Sequence, residues 1–363
     1  MAIKYLYIDH QPDATKEFAD LLSLKPQKLI VKSPTKPKNW DIQIQYLSEH
    51  RSEFQGLLID LKLTNRKKNQ EVVKYQAPTL AQELRSLAKE NLIKDLPIIL
   101  CSTENNFEKL YDNTNQDLFD AVFEKDKMNG DAVNEEFIAY VKAYEAIPNN
   151  PNLNELLKSN DINISQIEQY FNDLKTVHDK AALLKQVVHP PGILIDEHLL
   201  AIRLGIDKDK SKGWEELLKK MNRLKYKGVY SNVWQRWWMP LIFKWWDKNF
   251  PSLFFQNTPA SEKVEVLTKK FKLKNLTSLE LPKFHEYDSF WTKCIKSDLP
   301  MVSIDGLRTK DNPKYAKYDW QDIRYISNNF IRNATLKQQK ELRNTIYHFH
   351  KNSLEEIFKQ KNK

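Results

Sequence analysis

Two aspartates close apolar runs in the first part of this 363-residue chain. Asp9 ends Tyr5-Leu6-Tyr7-Ile8-Asp9, and Asp60 ends Gly56-Leu57-Leu58-Ile59-Asp60. An apolar run of that length, bounded by polar segments, reads as a strand buried on both faces in the middle of a parallel sheet. Ligands of such sheets bind at the carboxyl ends of the strands. Two more runs finish in chemically useful groups. Pro97-Ile98-Ile99-Leu100-Cys101-Ser102 ends in a hydroxyl, and Phe119-Asp120-Ala121-Val122-Phe123-Glu124-Lys125 ends in an ammonium. Two carboxylates, a hydroxyl and a lysine on one rim suit phosphoryl chemistry. Carboxylates favour Mg²⁺, which keeps several waters and pairs with phosphate. A carboxylate beside the metal can act as a nucleophile towards phosphorus. A hydroxyl and a lysine are what a new phosphoryl group needs for hydrogen bonding and charge pairing.

The elements that would position these groups alternate. Strands are expected at Lys4–Asp9, Lys28–Val31, Gly56–Leu63, Pro97–Ser102 and Phe119–Lys125. Between them lie helical patterns. Pro12-Asp13 opens a helix with Phe18, Leu21 and Leu22 on one face, and Trp40 to Phe54 forms a second. Thr79-Leu80-Ala81-Gln82 reads as a capping box that starts a third helix. Phe107, Leu110 and Tyr111 mark a fourth. Asn134 to Ile147 is a fifth, with Phe137, Val141 and Tyr144 inward. Thr64 to Pro78 is too polar to be core. Five βα units imply a doubly wound parallel sheet, and the common five-stranded order is 2-1-3-4-5.

These stretches resemble the receiver domain of two-component response regulators. The likeness lies in Tyr7-Ile8-Asp9-His10-Gln11-Pro12, Leu58-Ile59-Asp60-Leu61, Pro97 to Ser102 and Val122-Phe123-Glu124-Lys125, and it covers about 40% of the chain. The resemblance implies Asp60 as phosphoacceptor, Asp9 in the acidic metal pair with Mg²⁺, Ser102 as switch hydroxyl and Lys125 as the lysine that contacts the phosphoryl group. It also implies a histidine kinase partner. The chain departs from the family pattern in four places. His10 stands at the second acidic position, and imidazole is a poor Mg²⁺ ligand. Asp126 follows the lysine where proline is usual. Val122 takes a position that is often aromatic. The segment after Asp60 is long and carries Arg66, Lys67 and Lys68. Divergent receivers with such an insert resemble those of bacterial antiphage systems, the Detocs two-component system being one setting.

Ile147-Pro148-Asn149-Asn150-Pro151 is a linker by composition. It divides the chain into a receiver-like domain, 1–147, and a mainly α-helical, basic, Trp-rich domain, 148–363, which resembles no family. Residues 1–150 hold 20 Lys+Arg against 23 Asp+Glu, and residues 151–363 hold 37 against 25. The second half could therefore favour an acidic partner such as nucleic acid. Its interspersed acids favour a solvated surface instead. Ser165-Gln166-Ile167-Glu168 reads as a capping box opening one long helix to His189. Helices are also expected at Ile193–Leu204, Gly213–Leu224 and Leu336–Phe358. Five tryptophans fall within Trp234–Trp246, with Trp234, Trp238 and Trp245 at helical spacing. A helical core is the first reading, and stacking on single-stranded nucleic acid beside Arg236 and Lys244 the second. Asp305 and Arg308 read as a structural ion pair before a catalytic one. His348 and His350 would not converge on a metal.

The function expected from these features is signalling. Asp60 takes a phosphoryl group from a kinase, and the helical domain acts on a protein partner. The alternatives are a pseudo-receiver that only docks, or a nucleic-acid-binding response regulator. No enzyme activity is expected beyond self-phosphorylation. Only Cys101 and Cys294 are present, no apolar run approaches eighteen residues, and no signal peptide is legible, so a cytoplasmic protein without membrane contact is expected.

Overall fold

The computed structural model describes residues 2–23, 28–64, 73–104, 117–128, 131–150, 152–159, 161–283, 285–310 and 318–361. Arg66, Lys67, Lys68, Phe107, Leu110 and Tyr111 lie outside the described residues. The chain forms two compact units, one of residues 1–186 with 227–233 and one of residues 187–226 with 234–363.

In the first unit, β1 (Ile3–Ile8), α1 (Lys16–Leu21), β2 (Leu29–Val31), α2 (Trp40–Glu49), β3 (Gly56–Asp60), α3 (Ala77–Lys89), β4 (Ile98–Ser102) and β5 (Ala121–Glu124) precede a long helix, α4 (Asp131–Asn149). The five strands form one sheet in the order β2-β1-β3-β4-β5, parallel throughout. This is the expected α/β arrangement. Alternate residues serve opposite faces, as strand geometry requires. Leu6, Ile8, Leu57, Ile59, Ile98 and Leu100 pack in one cluster with Leu47 of α2 and Leu80, Ala81 and Leu84 of α3. On the other face Tyr5 meets Phe137 of α4 at 5.0 Å between ring centroids, and Tyr7 meets Phe18 at 6.1 Å. Gly56 lies under the Tyr5 ring, where a Cβ would stand 2.2 Å from the Tyr5 Cε1. Glycine is required there by close approach.

Several local expectations are corrected. Leu21 is exposed, and Ala19 and Leu22 turn inward. Helix α3 starts at Ala77 behind Gln76, with Pro78 in its first turn, so Thr79 is not a cap. Pro in the first turn loses no helical hydrogen bond, which is why the helix begins before the apparent box. The segment before it is not wholly polar surface, since Val73 and Tyr75 are buried in the core. Helix α4 runs on through Pro148 to Asn149.

After α4 come α5 (Leu153–Leu157), α6 (Ser165–Asp173) and α7 (Val177–Val188), of which residues up to 186 belong to the first unit. The long helix expected from Ser165 to His189 is two. Leu174 is extended, and the Thr176 hydroxyl accepts from the Asp179 N–H at 3.0 Å, capping a new start. The apolar period continues across this break, which hid it.

The second unit is mainly helical. It comprises β6 (Leu194–Ile195), α8 (Glu197–Arg203), α9 (Trp214–Lys220), β7 (Trp237–Trp238), α10 (Met239–Asn249), α11 (Ala260–Phe271), β8 (Thr292–Lys293), β9 (Pro300–Met301), β10 (Gly306–Arg308), β11 (Tyr325–Ser327), α12 (Asn328–Asn333), α13 (Leu336–Thr345) and α14 (Lys351–Lys361). Its strands pair antiparallel as β6–β7, β8–β9 and β10–β11. The tryptophan run is core, as first read, but it is not one helix. Trp237 and Trp238 form a strand, and α10 begins only at Met239 because Pro240 is tolerated in a first turn and not further in. Trp246 is fully buried, and Trp245 stacks on Phe271 at 5.4 Å. The closing helix is broken between Thr345 and Lys351, and the capping box Thr335/Gln338 opens its first half.

Candidate functional site

The parallel register brings the predicted groups to one rim. Ile8 pairs with Ile59, so Asp9 and Asp60 leave adjacent strands side by side. Asp60 pairs with Cys101, and Ser102 with Glu124, so Ser102 and Lys125 follow at the next step. The Asp9 backbone N–H donates to the Thr35 carbonyl at 3.0 Å, which fixes the end of β1.

Asp9, Asp60 and Ser102 are buried. Lys125 Nζ bridges the two carboxylates, 2.7 Å from Asp9 Oδ2 and 2.8 Å from Asp60 Oδ1. The Ser102 hydroxyl donates to Asp60 Oδ1 at 3.2 Å. Asp60 Oδ2 accepts from the Lys62 N–H at 3.2 Å and lies 3.1 Å from His10 Nδ1. Asp9 Oδ1 accepts from the Gln11 N–H at 2.7 Å. All five residues marked in the sequence, Asp9, His10, Asp60, Ser102 and Lys125, therefore stand within one cluster.

Tyr7 is the member that sequence reasoning missed. Its hydroxyl donates to Asp9 Oδ2 at 2.6 Å from a fully buried position. The signal was present, because residues two apart on a strand share a face. Burial pushes the Asp9 carboxyl up, but Lys125, Tyr7 and the Gln11 amide outweigh it and hold it below its ordinary value. Burial alone would lower Lys125, and the acidic groups around it, Cys101, Asp60 and Asp9, raise it instead. Burial and the nearby acids likewise push Tyr7 far up, so its proton stays on oxygen.

No protein-family model matches the chain, and no curated protein matches it. The geometry itself is a five-stranded parallel sheet in the order β2-β1-β3-β4-β5 with an Asp-His-Asp group at its carboxyl rim.

One oxygen or nitrogen from each of Asp9, His10 and Asp60 lies within 4.8 Å of the others, a spacing that one metal ion can span. The donor set is two carboxylates and an imidazole. The carboxylates fit a hard dication, and the imidazole fits a softer one.

The other residues considered as sites are placed elsewhere. Arg236 spends its guanidinium on the carbonyls of Val188, His189 and Gln235 at 2.9 to 3.1 Å. Trp237 and Trp238 are buried beside it. Asp305 lies beside His285, with 3.5 Å between Oδ2 and Nδ1, and Arg308 lies over the Tyr347 ring at 4.7 Å. His348 and His350 share one short 3₁₀ turn.

Proposed function

We propose that the first unit is a phosphoacceptor and that Asp60 takes a phosphoryl group from a histidine kinase partner. The observation that carries this reading is the Lys125 bridge between Asp9 and Asp60, with the Ser102 hydroxyl on the same Asp60 oxygen. In the transfer an Asp60 oxygen attacks phosphorus, the O–P bond forms, and the bond to the kinase histidine nitrogen breaks. Lys125 and Ser102 then meet the new phosphoryl oxygens with a charge and a hydroxyl donor. A bound divalent cation, Mg²⁺ by the family resemblance, would be held by Asp9 and Asp60 and would neutralise the phosphoryl oxygens.

Residues 1–147 are the acceptor module in this reading. The helical remainder is the output, acting on a protein partner in the cytoplasm, with antiphage defence as the setting. The protein catalyses nothing beyond its own modification. Phosphorylation biases the rim between two arrangements, because Lys125 and Ser102 exchange a carboxylate partner for a phosphoryl one. The buried tryptophans and the engaged Arg236 speak against the nucleic-acid reading.

One observation favours a second reading. His10 already lies against Asp60, which suits a pseudo-receiver that docks without phosphotransfer. Incubation with acetyl phosphate and a divalent cation, followed by intact-mass measurement, separates the two. A gain of one phosphoryl group that is lost in Asp60→Asn supports the acceptor. No gain from acetyl phosphate or from a cognate kinase leaves the docking role.

A further inference from the structure

His10 changes what the rim can bind. We propose that the Asp9–His10–Asp60 group selects a first-row transition-metal dication over Mg²⁺, with His10 Nδ1 as one ligand. The inference rests on the reading of this rim as the phosphoacceptor site.

The oxygens of the two carboxylates divide between two neighbours. Asp9 Oδ2 and Asp60 Oδ1 face Lys125 at 2.7 and 2.8 Å. Asp9 Oδ1 and Asp60 Oδ2 face His10 Nδ1 at 3.5 and 3.1 Å. The second pair, with the imidazole nitrogen, forms a three-donor face. Adjacent ligands of a six-coordinate ion with bonds of about 2.1 Å stand about 3 Å apart. The spacing of the His10 nitrogen from both oxygens is close to that edge, so the three donors can share one ion. Lys125 stays on the far oxygens, where it does not compete.

The donor types decide which ion. Mg²⁺ dehydrates reluctantly and is held by oxygen. Imidazole suits Fe²⁺, Ni²⁺, Cu²⁺ and Zn²⁺, and a nitrogen donor widens their advantage over a hard ion; Mn²⁺, the weakest binder of the series, serves as the spectroscopic probe of the nitrogen ligand. Replacing a carboxylate with neutral imidazole also removes one negative charge, which costs Mg²⁺ more because its binding is mainly electrostatic. The residue that departs from the receiver pattern is thus a ligand of a different metal class, and the site keeps its place beside Asp60.

The test uses the full chain without any phosphodonor. Mn²⁺ is titrated and followed by electron paramagnetic resonance, with Mg²⁺ as competitor. The bound Mn²⁺ is then examined for coupling to a ¹⁴N nucleus. The expected result is a nitrogen coupling in the wild type that is absent in His10→Asp. The ratio of Mn²⁺ to Mg²⁺ affinity should also fall in His10→Asp, where a carboxylate replaces the nitrogen donor. Bound Mn²⁺ without nitrogen coupling, a ratio unchanged in the variant, or no binding of either ion at millimolar concentration overturns the proposal. If His10→Asp does not fold, the wild-type nitrogen coupling decides alone. Phosphoryl gain is measured in a separate sample. Nitrogen coupling without phosphoryl gain keeps this inference and removes the acceptor reading. Phosphoryl gain with Mg²⁺ and no nitrogen coupling does the reverse.

Discussion

Each side chain at the rim has a separable task. Lys125 balances two buried carboxylates, so Lys125→Met should leave them uncompensated and lower stability by about 3 kcal/mol or more, read as a shifted denaturation midpoint. The same variant should take up phosphoryl from acetyl phosphate at least about tenfold more slowly, since charge-assisted contacts of this kind are worth about 1.5 to 3 kcal/mol. Tyr7→Phe removes only the donor to Asp9. It should cost about 1 to 3 kcal/mol in stability and leave Asp60 able to accept, as seen by intact mass. A variant that is as stable as wild type would show that the Tyr7 hydroxyl contributes nothing to holding Asp9. In the second unit, Lys263 is buried with its ammonium on the Arg203 carbonyl at 2.8 Å, and burial pushes it down to about 7. An unfolded lysine titrates near 10.4, so between pH 7 and 10 the unfolded chain binds more protons than the folded one. Stability therefore rises with pH across that window. Lys263→Met should flatten the rise, which chemical denaturation at pH 7 and pH 9.5 would measure.

At the scale of elements, helix starts and close approaches set the local structure. Gly56 opens β3 under the Tyr5 ring, and no side chain fits without moving that ring. Gly56→Val should destabilise by about 1 to 3 kcal/mol, as overpacking of a filled core does, with the loss visible in thermal melting. The capping box at Thr335 is complete, with the Thr335 hydroxyl accepting from the Gln338 N–H and the Gln338 amide accepting from the Thr335 N–H. By contrast Thr79 and Ser165 carry the same sequence pattern and do not cap. The pattern states what a terminus can use. Whether a terminus falls there depends on where packing ends the preceding segment.

At the scale of the whole molecule, each unit has its own pH response. In the first, Asp120 sits at the opposite end of the sheet from the rim. It accepts from Arg85 at 2.9 Å, from the Ile98 N–H at 2.8 Å and from the Tyr144 hydroxyl at 2.8 Å. Burial pushes its carboxyl up, but His178, Arg85 and these donors outweigh it and hold it far below the ordinary range. A carboxyl depressed on folding contributes stability above its unfolded value, near 4, and that contribution is lost as pH falls below it. Asp9 is depressed in the same sense. The first unit should therefore lose stability from about pH 4 downward, while the second gains from pH 7 upward through Lys263. Calorimetric scans from pH 3 to pH 9.5 should show the two responses at opposite ends of the range. A single transition with no acid loss would remove the assignment to Asp9 and Asp120. Among the described residues no helix is long and apolar enough to cross a membrane.

Much of the first unit was legible in the sequence because a doubly buried strand must be apolar along its length. That one requirement marks the strands, and the polar residue ending each marks the rim. Right-handed crossovers then leave few strand orders, and the observed order is among them. Asp9, Asp60, Ser102 and Lys125 could be named for this reason, and His10 stood out by its type. The role of Tyr7 was not assigned, since a tyrosine in an apolar run reads as core until a carboxylate is seen beside its hydroxyl. Nor could local pattern place the break at Leu174 or the strand at Trp237–Trp238, where apolar periodicity runs on and a capping hydroxyl or a proline in the chain decides. Residue type and spacing determined which groups reach the rim. Only the folded chain decided how they divide the four carboxylate oxygens, because that depends on register between strands far apart in sequence.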